Sequence, residues 1–465
     1  MKNTKNLRNL RTRTCVAGLL MLGATSVNAD NWQDASGLLG AVGADPNELK
    51  FFKDNNLKLG GWLETSVGAN LNSTHDGFNG PVTFNDRTAE VQMNQLYFYL
   101  QKAVNVSGDS FDIGGRADFM YGTDAIFTQA YGNPSFNPTT GAPMTGQRGD
   151  WDLYLNSDRF YGIALPQAYA EMNLPIGNGV DVKLGHFYTP IGYEVVTSPD
   201  NFFVTKPYTM QYGEPFTHTG VLASYTLNSN WAVSAGTVTG SGTGGWDGNY
   251  NKNVGNWSFL GGATWTSDDA GTSLALTSTA GEQSETNSSK WAMYSLVGKH
   301  NFTDKLHYII QHDHGFADNV ATGNSGFNSE TNLPNTQNAE WYGINQYLIY
   351  DVNDKLSAGL RAEWFRDNNG FRVNGPGRCV AGGQPNSSNY ACNATDYTAN
   401  YLTGSNALNK GSGYYALTAG LSYKATKWLN LRPNVRWDMS DQVKAFAGGN
   451  SQNQVLFTAD AVITF

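Results

Sequence analysis

Charged side chains recur on one face of several segments that alternate between apolar and polar residues. Successive side chains of an extended strand point to opposite sides, so residues two apart share a side. Charges arranged in this way along strands that enclose water would sort ions by sign, because a ring of one sign attracts the opposite ion. Ten residues are candidates for this role: Arg116, Asp118, Glu171, Lys183, Arg361, Glu363, Arg432, Arg436, Asp438 and Asp460.

Other chemistry has weaker support. His312 and His314 share a strand face and could bind a metal, but no third ligand is evident. The glycine-rich stretch 240–248 lacks the Lys-Ser/Thr ending of a phosphate loop. His218 and His312 could serve as bases of a hydrolase, yet neither has an identified nucleophile. The sequence therefore predicts no metal, no cofactor and no enzyme.

The elements that position the charges are strands. In 355–365, apolar residues occupy every second position, and Arg361 and Glu363 fall between them. The segments 111–121 and 428–438 repeat this pattern, and in the latter Pro433 takes an apolar position, where it costs a ladder hydrogen bond or marks a bulge. The segment 89–104 changes parity near Asn94.

The connections between these segments alternate between short turns and long polar loops. Fifteen connections predict about 16 strands, with both chain ends on the short-turn side, as in bacterial outer-membrane barrels. We therefore expect an all-β, transmembrane, antiparallel up-and-down β-barrel with short periplasmic turns and long extracellular loops. The turns are predicted at 105–109, 175–179, 227–230, 267–271, 302–304, 352–354 and 425–427, and the loops near 73–88, 122–160, 190–214, 240–255, 281–289, 316–338, 367–411 and 440–451.

Three regions are expected along the chain. Residues 1–29 carry five basic residues, a short apolar run and Val27-Asn28-Ala29, which is typical of a cleaved signal peptide. Residues 30–56 form a periplasmic lead-in that either contains short helices or is loosely ordered, and 57–465 form the barrel. After cleavage, 25 Lys and Arg face 39 Asp and Glu, a net charge of −14 that disfavours nucleic acid as a partner. In an oxidising compartment Cys379 and Cys392 are expected to form a disulfide.

Aromatic residues mark the strand ends. The segment 455–465 alternates up to Phe465, a pattern similar to the signal that outer-membrane assembly machinery reads. We expect tryptophans near strand ends to form the girdles that meet the lipid headgroups. These tryptophans are Trp231, Trp257, Trp291, Trp341, Trp428 and Trp437.

The third long loop, 190–215, contains four prolines and several aromatic residues. Loops of this composition can fold inward and narrow a pore, although a lid that faces outward is the alternative. Its charged residues are the constriction candidates: Glu194, Asp200, Lys206 and Glu214.

The stretch 185–194, which reads GHFYTPIGYE, followed by Asn201-Phe202-Phe203 and the strand 217–227, resembles the OmpL-like β-barrel porin family, as does the opening 59–64. The resemblance implies a porin-like barrel of the outer membrane and supplies no catalytic residues.

A barrel of about 16 strands is too wide for side chains to fill, so it leaves an aqueous lumen unless something plugs it. The sequence therefore predicts passive diffusion of small hydrophilic solutes or ions. The alternative is a structural or surface-binding barrel with an occluded lumen. Outer-membrane lipid and the assembly machinery are the expected partners, and a homotrimer is plausible by analogy with porins of similar strand number.

Overall fold

The fold was analysed in a computed structural model of the chain. It describes residues 32–72, 77, 79–128, 135–136, 143–144, 161–239, 257–282, 290–321, 327–328, 333–334, 336–373, 410–447 and 450–465. The signal peptide predicted at 1–29 and the predicted disulfide between Cys379 and Cys392 lie outside these residues. Within the described residues, no helix combines the length and apolar character needed to cross a membrane.

Sixteen strands form the barrel, and each pairs antiparallel with its neighbour in the sequence. The fourth strand is written in two pieces because an irregular stretch interrupts it. The strands are β1 (Leu57–Asn70), β2 (Val91–Lys102), β3 (Asp112–Gly122), β4 (Gly162–Ala164 and Ala168–Leu174), β5 (Val180–Tyr188), β6 (Thr217–Thr226), β7 (Trp231–Thr239), β8 (Trp257–Thr266), β9 (Thr272–Glu282), β10 (Lys290–Asn301), β11 (Leu306–Ala321), β12 (Thr336–Asn353), β13 (Leu356–Asp367), β14 (Ser412–Lys424), β15 (Leu429–Ser440) and β16 (Asn453–Thr464).

The sheet closes because β1 pairs with both β2 and β16, from Trp62 opposite Thr464 to Asn70 opposite Leu456. Closure leaves no exposed sheet edge, which a chain in lipid requires. The strand number, the up-and-down order and the alternation of turns with loops confirm the predicted fold class. One boundary was wrong: β11 and β12 extend further than expected, so the sixth loop is shorter than the predicted 316–338.

Side chains alternate between the interior and the outer surface. In β13, Leu360 is exposed outward, whereas Arg361 and Glu363 are buried inside. Trp231, Trp257 and Trp437 are exposed on the outside, as a girdle requires. The girdle prediction was wrong for Trp291 and Trp341, which have the opposite parity and are buried in the interior.

The parity change at Asn94 is a β-bulge. Glu64 of β1 pairs with Gln95, while the next residue, Thr65, pairs with Met93, so Asn94 is the extra residue. Pro433 of β15 pairs with Ala459 of β16, but the ladder to β14 skips it, passing from Asn434 to Leu431. The missing N–H of Pro433 is thus accommodated on the side of the strand that faces β14, where the ladder is interrupted.

The lead-in before β1 packs at the end of the barrel that carries the short turns, which we call the turn end. It contains two short helices, α1 (Leu38–Ala41) and α2 (Lys50–Asp54), and two 3-10 turns, Trp32–Asp34 and Pro46–Glu48. The side chain of Asn47 donates to the carbonyl of Leu59 and accepts from its N–H, both at 2.8 Å. The opposite end of the barrel, the loop end, holds a third short helix, α3 (Ala125–Thr128).

Candidate functional site

The connection between β5 and β6, residues 189–216, lies inside the barrel, and we call it loop 3. Almost every residue between 194 and 215 is buried. A 3-10 turn at Ser198–Asp200 and a π-helical turn at Thr209–Gly213 give it local structure. Its hydrogen bonds to barrel strands reach β2, β11, β12, β13 and β15, so it crosses the interior from the strands that bear it to the far wall.

Arg432 of β15 is the main anchor of the first half of loop 3. Its guanidinium donates to the carbonyls of Ser198 and Asn201, at 2.8 and 2.6 Å. The same group pairs with Asp460 of β16 and lies 3.4 Å from Glu64 of β1. A guanidinium has five N–H donors in a planar fork, so one arginine can hold a loop backbone and neutralise two carboxylates together.

Two further arginines hold the middle of loop 3. Arg361 of β13 donates to the carboxylate of Glu194 at 2.6 Å and to the carbonyl of Thr205 at 2.7 Å. Arg436 of β15 donates to the carbonyl of Lys206 at 2.8 Å. Glu363 lies between the two arginines, 3.2 Å from Arg361 and 3.1 Å from Arg436. These charges are fully buried, so each depends on its partners.

The two ends of loop 3 meet at β11, where Gln311 holds both. The side-chain oxygen of Gln311 accepts from the N–H of Tyr193, at 3.0 Å, and its nitrogen donates to Glu214 at 2.5 Å. That nitrogen also lies within 3.0 Å of both carboxylate oxygens of Asp313. Gly192 has a positive φ of 89°, which favours glycine, and a Cβ there would fall 2.0 Å from the carboxylate of Glu214. We call Gln311, Asp313, Glu214 and Gly192 the neck of loop 3.

Loop 1, residues 71–90, packs on loop 3 from the loop end. Gln211 accepts from the N–H and the hydroxyl of Thr83, and the hydroxyl of Tyr212 donates to the carbonyl of Pro81. The ammonium of Lys206 lies 6.0 Å from the ring centre of Phe84. Loop 3 is therefore enclosed by protein on both the wall side and the loop side.

Buried apolar side chains complete the filling of the interior. One cluster joins loops 3, 7 (368–411) and 8 (441–452) to strands from β4 to β14, and a second joins loops 1 and 3 to β1–β4 and β16. In this arrangement loop 3 occupies much of the cross-section at mid-height.

Asp200 is exposed and accepts from the hydroxyl of Thr197 at 2.6 Å. Burial shifts the proton affinity of two other charged groups. It lowers the pKa of Lys206. In loop 2, residues 123–161, burial raises the pKa of Asp124 to about 7, although hydrogen bonds from Gln95 and Asn94 oppose the shift. In each case the low dielectric disfavours the charged form.

Toward the turn end of β4–β9, interior side chains are partly exposed, unlike those beneath loop 3. Lys183 and Glu171 lie there 3.8 Å apart, with about a quarter of the Lys183 side chain exposed. A row of small residues runs in register across the neighbouring strands, and we call it the small-residue row: Ser224, Ser234, Gly262, Thr277 and Ser295. Ser295 pairs in register with Asp313, so the row leads to the neck of loop 3.

The ten charged candidates all face the interior, but in two groups. Glu171 and Lys183 are partly exposed toward the turn end, whereas the other eight are buried beneath loop 3 or against its neighbours. Their role in ion passage stays a prediction. Sequence reasoning missed Glu64, Gln311 and Asp313. Asp313 has the interior parity of β11, but only the two histidines beside it, which have the outward parity, were considered as candidate ligands.

His312 and His314 lie on that outer face, with ring centres 6.5 Å apart. His314 lies 2.9 Å from Glu340. Across the described ranges, no group of three His, Cys, Asp or Glu residues is placed to hold a metal ion.

Solved structures share this architecture at low sequence identity. OprB of Pseudomonas putida is 12% identical, with 93% of this chain and 99% of that chain covered and a TM-score of 0.52. The outer-membrane channel DcaP of Acinetobacter baumannii is 10% identical, with 88% and 97% covered and a TM-score of 0.50. The trimer form of OmpT, an outer-membrane protein of Vibrio cholerae, is 10% identical, with 88% and 99% covered and a TM-score of 0.46. No curated protein matches significantly.

The closed barrel of 16 antiparallel strands is the fold of these proteins, and the family that the sequence matches defines the class: this is an outer-membrane porin. The chain belongs to the family described as "Putative beta-barrel porin-2, OmpL-like", whose model matches residues 56–465. It is a channel protein of the outer membrane, as the sequence predicted.

Proposed function

We propose that small hydrophilic solutes pass between loop 3 and the small-residue row, and that the seating of loop 3 sets the width of this passage. The observation that carries the proposal is the asymmetry of the interior. The arginines and carboxylates that hold loop 3 lie mainly on β11–β16, whereas the row on β6–β10 has short, uncharged side chains.

Small side chains leave space beside the wall, and their hydroxyl groups can replace part of the hydration of a passing solute. Ser224, Ser234, Gly262 and Thr277 are all partly exposed, unlike the arginines under loop 3. Water and solute thus have access to this wall from the turn end.

Cysteine substitutions at the row test this path. Ser234→Cys and Thr277→Cys, made in a chain with Cys379 and Cys392 replaced by serine, would be reconstituted in planar bilayers. We expect a bulky thiol reagent to lower the single-channel conductance of both, because the added group would occupy the passage.

The matched controls are the next residues along each strand, Ala235→Cys and Ser278→Cys, whose side chains have the outward parity. Their conductance should not respond to the reagent. If the reagent lowers the conductance of the row variants and the control variants equally, or leaves the conductance of the row variants unchanged, the solute path lies elsewhere. Bilayers that stay sealed at high protein density would contradict passive diffusion itself.

The extent of packing around loop 3 favours one second candidate, a surface-binding barrel with an occluded lumen. It predicts sealed bilayers together with loss of binding when the seventh loop is shortened within 374–409, a range outside the described residues. The same recordings separate the two candidates.

We also propose that the protein has no catalytic role. His218 and His312, the two candidate bases, lie on opposite sides of the wall. His218 is buried inside, with its Nε2 2.9 Å from the hydroxyl of Thr189, and His312 faces outward beside Tyr294. They cannot contribute to one site.

We propose that residues 1–29 are removed on export, that 30–56 remain as a lead-in at the periplasmic mouth, and that the outer face contacts lipid.

We further propose that the assembly machinery reads β16 together with Phe465. The Phe465 backbone forms two hydrogen bonds with Gly61, and its ring centre lies 5.3 Å from that of Phe98. A homotrimer stays a prediction that a mass measurement in detergent can check.

Phe465→Ala is the test of this assembly role. We expect less folded barrel in outer-membrane fractions, but unchanged refolding of the purified variant in detergent, because the backbone pairing with Gly61 does not need the ring. An equal loss in both assays would show a structural role and contradict recognition.

A further inference from the structure

The neck of loop 3 contains two carboxyl groups in contact, which the passage itself does not require. Glu214 comes from the loop and Asp313 from β11, and the side-chain nitrogen of Gln311 brings them together, at 2.5 Å from an oxygen of Glu214 and 2.8 Å from an oxygen of Asp313. Both side chains are almost fully buried. Two adjacent carboxylates cannot both be ionised in a dry site without strong repulsion, so this contact depends on a shared proton.

The surroundings supply little positive charge to replace that proton. From β11, Gln311 donates to both carboxyl groups, while His312 points outward. From β10, Ser295 lies opposite Asp313 in register, and the ammonium of Lys299 lies 4.9 Å from the ring centre of Tyr193. Gly343 of β12 lies opposite Asp313.

Loop residues complete the surroundings of the pair. Glu194 of loop 3 lies near Glu214, but its own charge is paired with Arg361 at 2.6 Å. The nearest described cation of loop 7, Arg372, donates to the carbonyl of Tyr212 and lies over the Trp341 ring at 5.1 Å.

We propose that Gln311 and Asp313 are positioning residues that hold loop 3 in the lumen through a carboxyl pair with a shared proton, so that the channel opens as pH rises. This rests on the proposed function, in which loop 3 sets the width of the passage. The geometry supports it because the pair joins the end of loop 3 to the same glutamine that binds its beginning.

The direction of the response follows from linkage. Burial, and then the charge of Asp313, raise the pKa of Glu214 well above its usual value when the loop is seated. A released loop would return Glu214 to water and to its ordinary pKa. The seated state thus binds the extra proton, is fully stable below the ordinary pKa, and is weakened as pH rises through the raised one.

The test is the single-channel conductance of the full-length protein in planar bilayers, from acidic to alkaline buffer. We expect wild-type conductance to rise with pH in one step, and the ratio of released to seated channels to change by up to about tenfold per pH unit for one proton. Glu214→Gln and Asp313→Asn keep the shape of the pair without its second charge. Both should remain at the low conductance at every pH, with the step lost.

Asp124→Asn is the control, because Asp124 is a buried loop carboxyl outside the neck, and burial raises its pKa to about 7. This variant should keep the step. A wild-type conductance that is flat or falls with pH, a step that persists in Glu214→Gln, or a step lost in Asp124→Asn would each overturn the proposal. If the conductance does not change with pH but the thiol reagent still blocks the row cysteine variants, the proposed role of the neck is refuted and the passage is not. If no current flows at any pH, the passage is refuted as well.

Discussion

Arg432→Gln is expected to lower the free energy of unfolding by about 3–5 kcal/mol, the cost of breaking a buried ion pair by removing one partner. The substitution leaves Asp460 and Glu64 buried without their cation, and it removes the donors to the carbonyls of Ser198 and Asn201. Denaturant unfolding in lipid vesicles measures the loss. Because the first half of loop 3 loses its anchor, the single-channel conductance should rise as well.

Two comparisons make this result specific. Arg366→Gln, on β13 two strands away, removes a partly exposed arginine that lies 3.7 Å from Asp441, and it should cost no more than about 1 kcal/mol. In the double variant Arg432→Gln/Asp460→Asn, part of the loss should be recovered, because the orphaned carboxylate is neutralised. An Arg432→Gln variant as stable as wild type would mean that the anchor contributes nothing.

Arginine introduced at Leu276 and at Thr277 should give opposite results, although the two positions are adjacent on β9. Leu276 is half exposed on the outer surface near the middle of the strand, so Leu276→Arg should cost about 2–4 kcal/mol of folding free energy in a bilayer. Thr277 belongs to the small-residue row and faces the lumen. Thr277→Arg should leave stability nearly unchanged and shift the reversal potential toward anions.

Vesicle unfolding and reversal potentials in a salt gradient measure the two effects separately. The pair tests the assignment of the faces, since a one-residue register slip would exchange them. A destabilised Thr277→Arg beside a stable Leu276→Arg would show that the faces of β9 are reversed. An unchanged reversal potential would show that ions do not pass beside the row.

The barrel could be predicted from the sequence because its signals are local. Alternation within each strand and the rhythm of connection lengths need no long-range information. The irregularities of the sheet were also visible in the sequence. The parity change at Asn94 is the bulge, and Pro433 lies where the β14 ladder is interrupted. The girdle prediction was wrong for Trp291 and Trp341 because it used their position near a strand end. Their parity within the strand places them in the interior.

The contents of the barrel could not be predicted in the same way. Arg432 and the Ser198 carbonyl that it binds are 234 positions apart, and no periodic pattern links a wall residue to a loop backbone. Arg361 and Glu363 were correctly placed on the interior face. That their partners would be loop 3, rather than water, depends on how the loop folds inside the barrel. Similarly, Asp313 has a partner in Glu214 only once the loop has returned to β11.

The seam where β1 meets β16 constrains the order of events in folding. Every other junction of the sheet joins strands that are neighbours in the sequence, whereas the seam brings Trp62 against Thr464 across nearly the whole chain. Contacts between such distant residues carry the largest loop-closure entropy and form slowly. The seam is therefore the step at which an open, edge-exposed sheet becomes a sealed cylinder, and until then β1 and β16 can pair with strands of other chains.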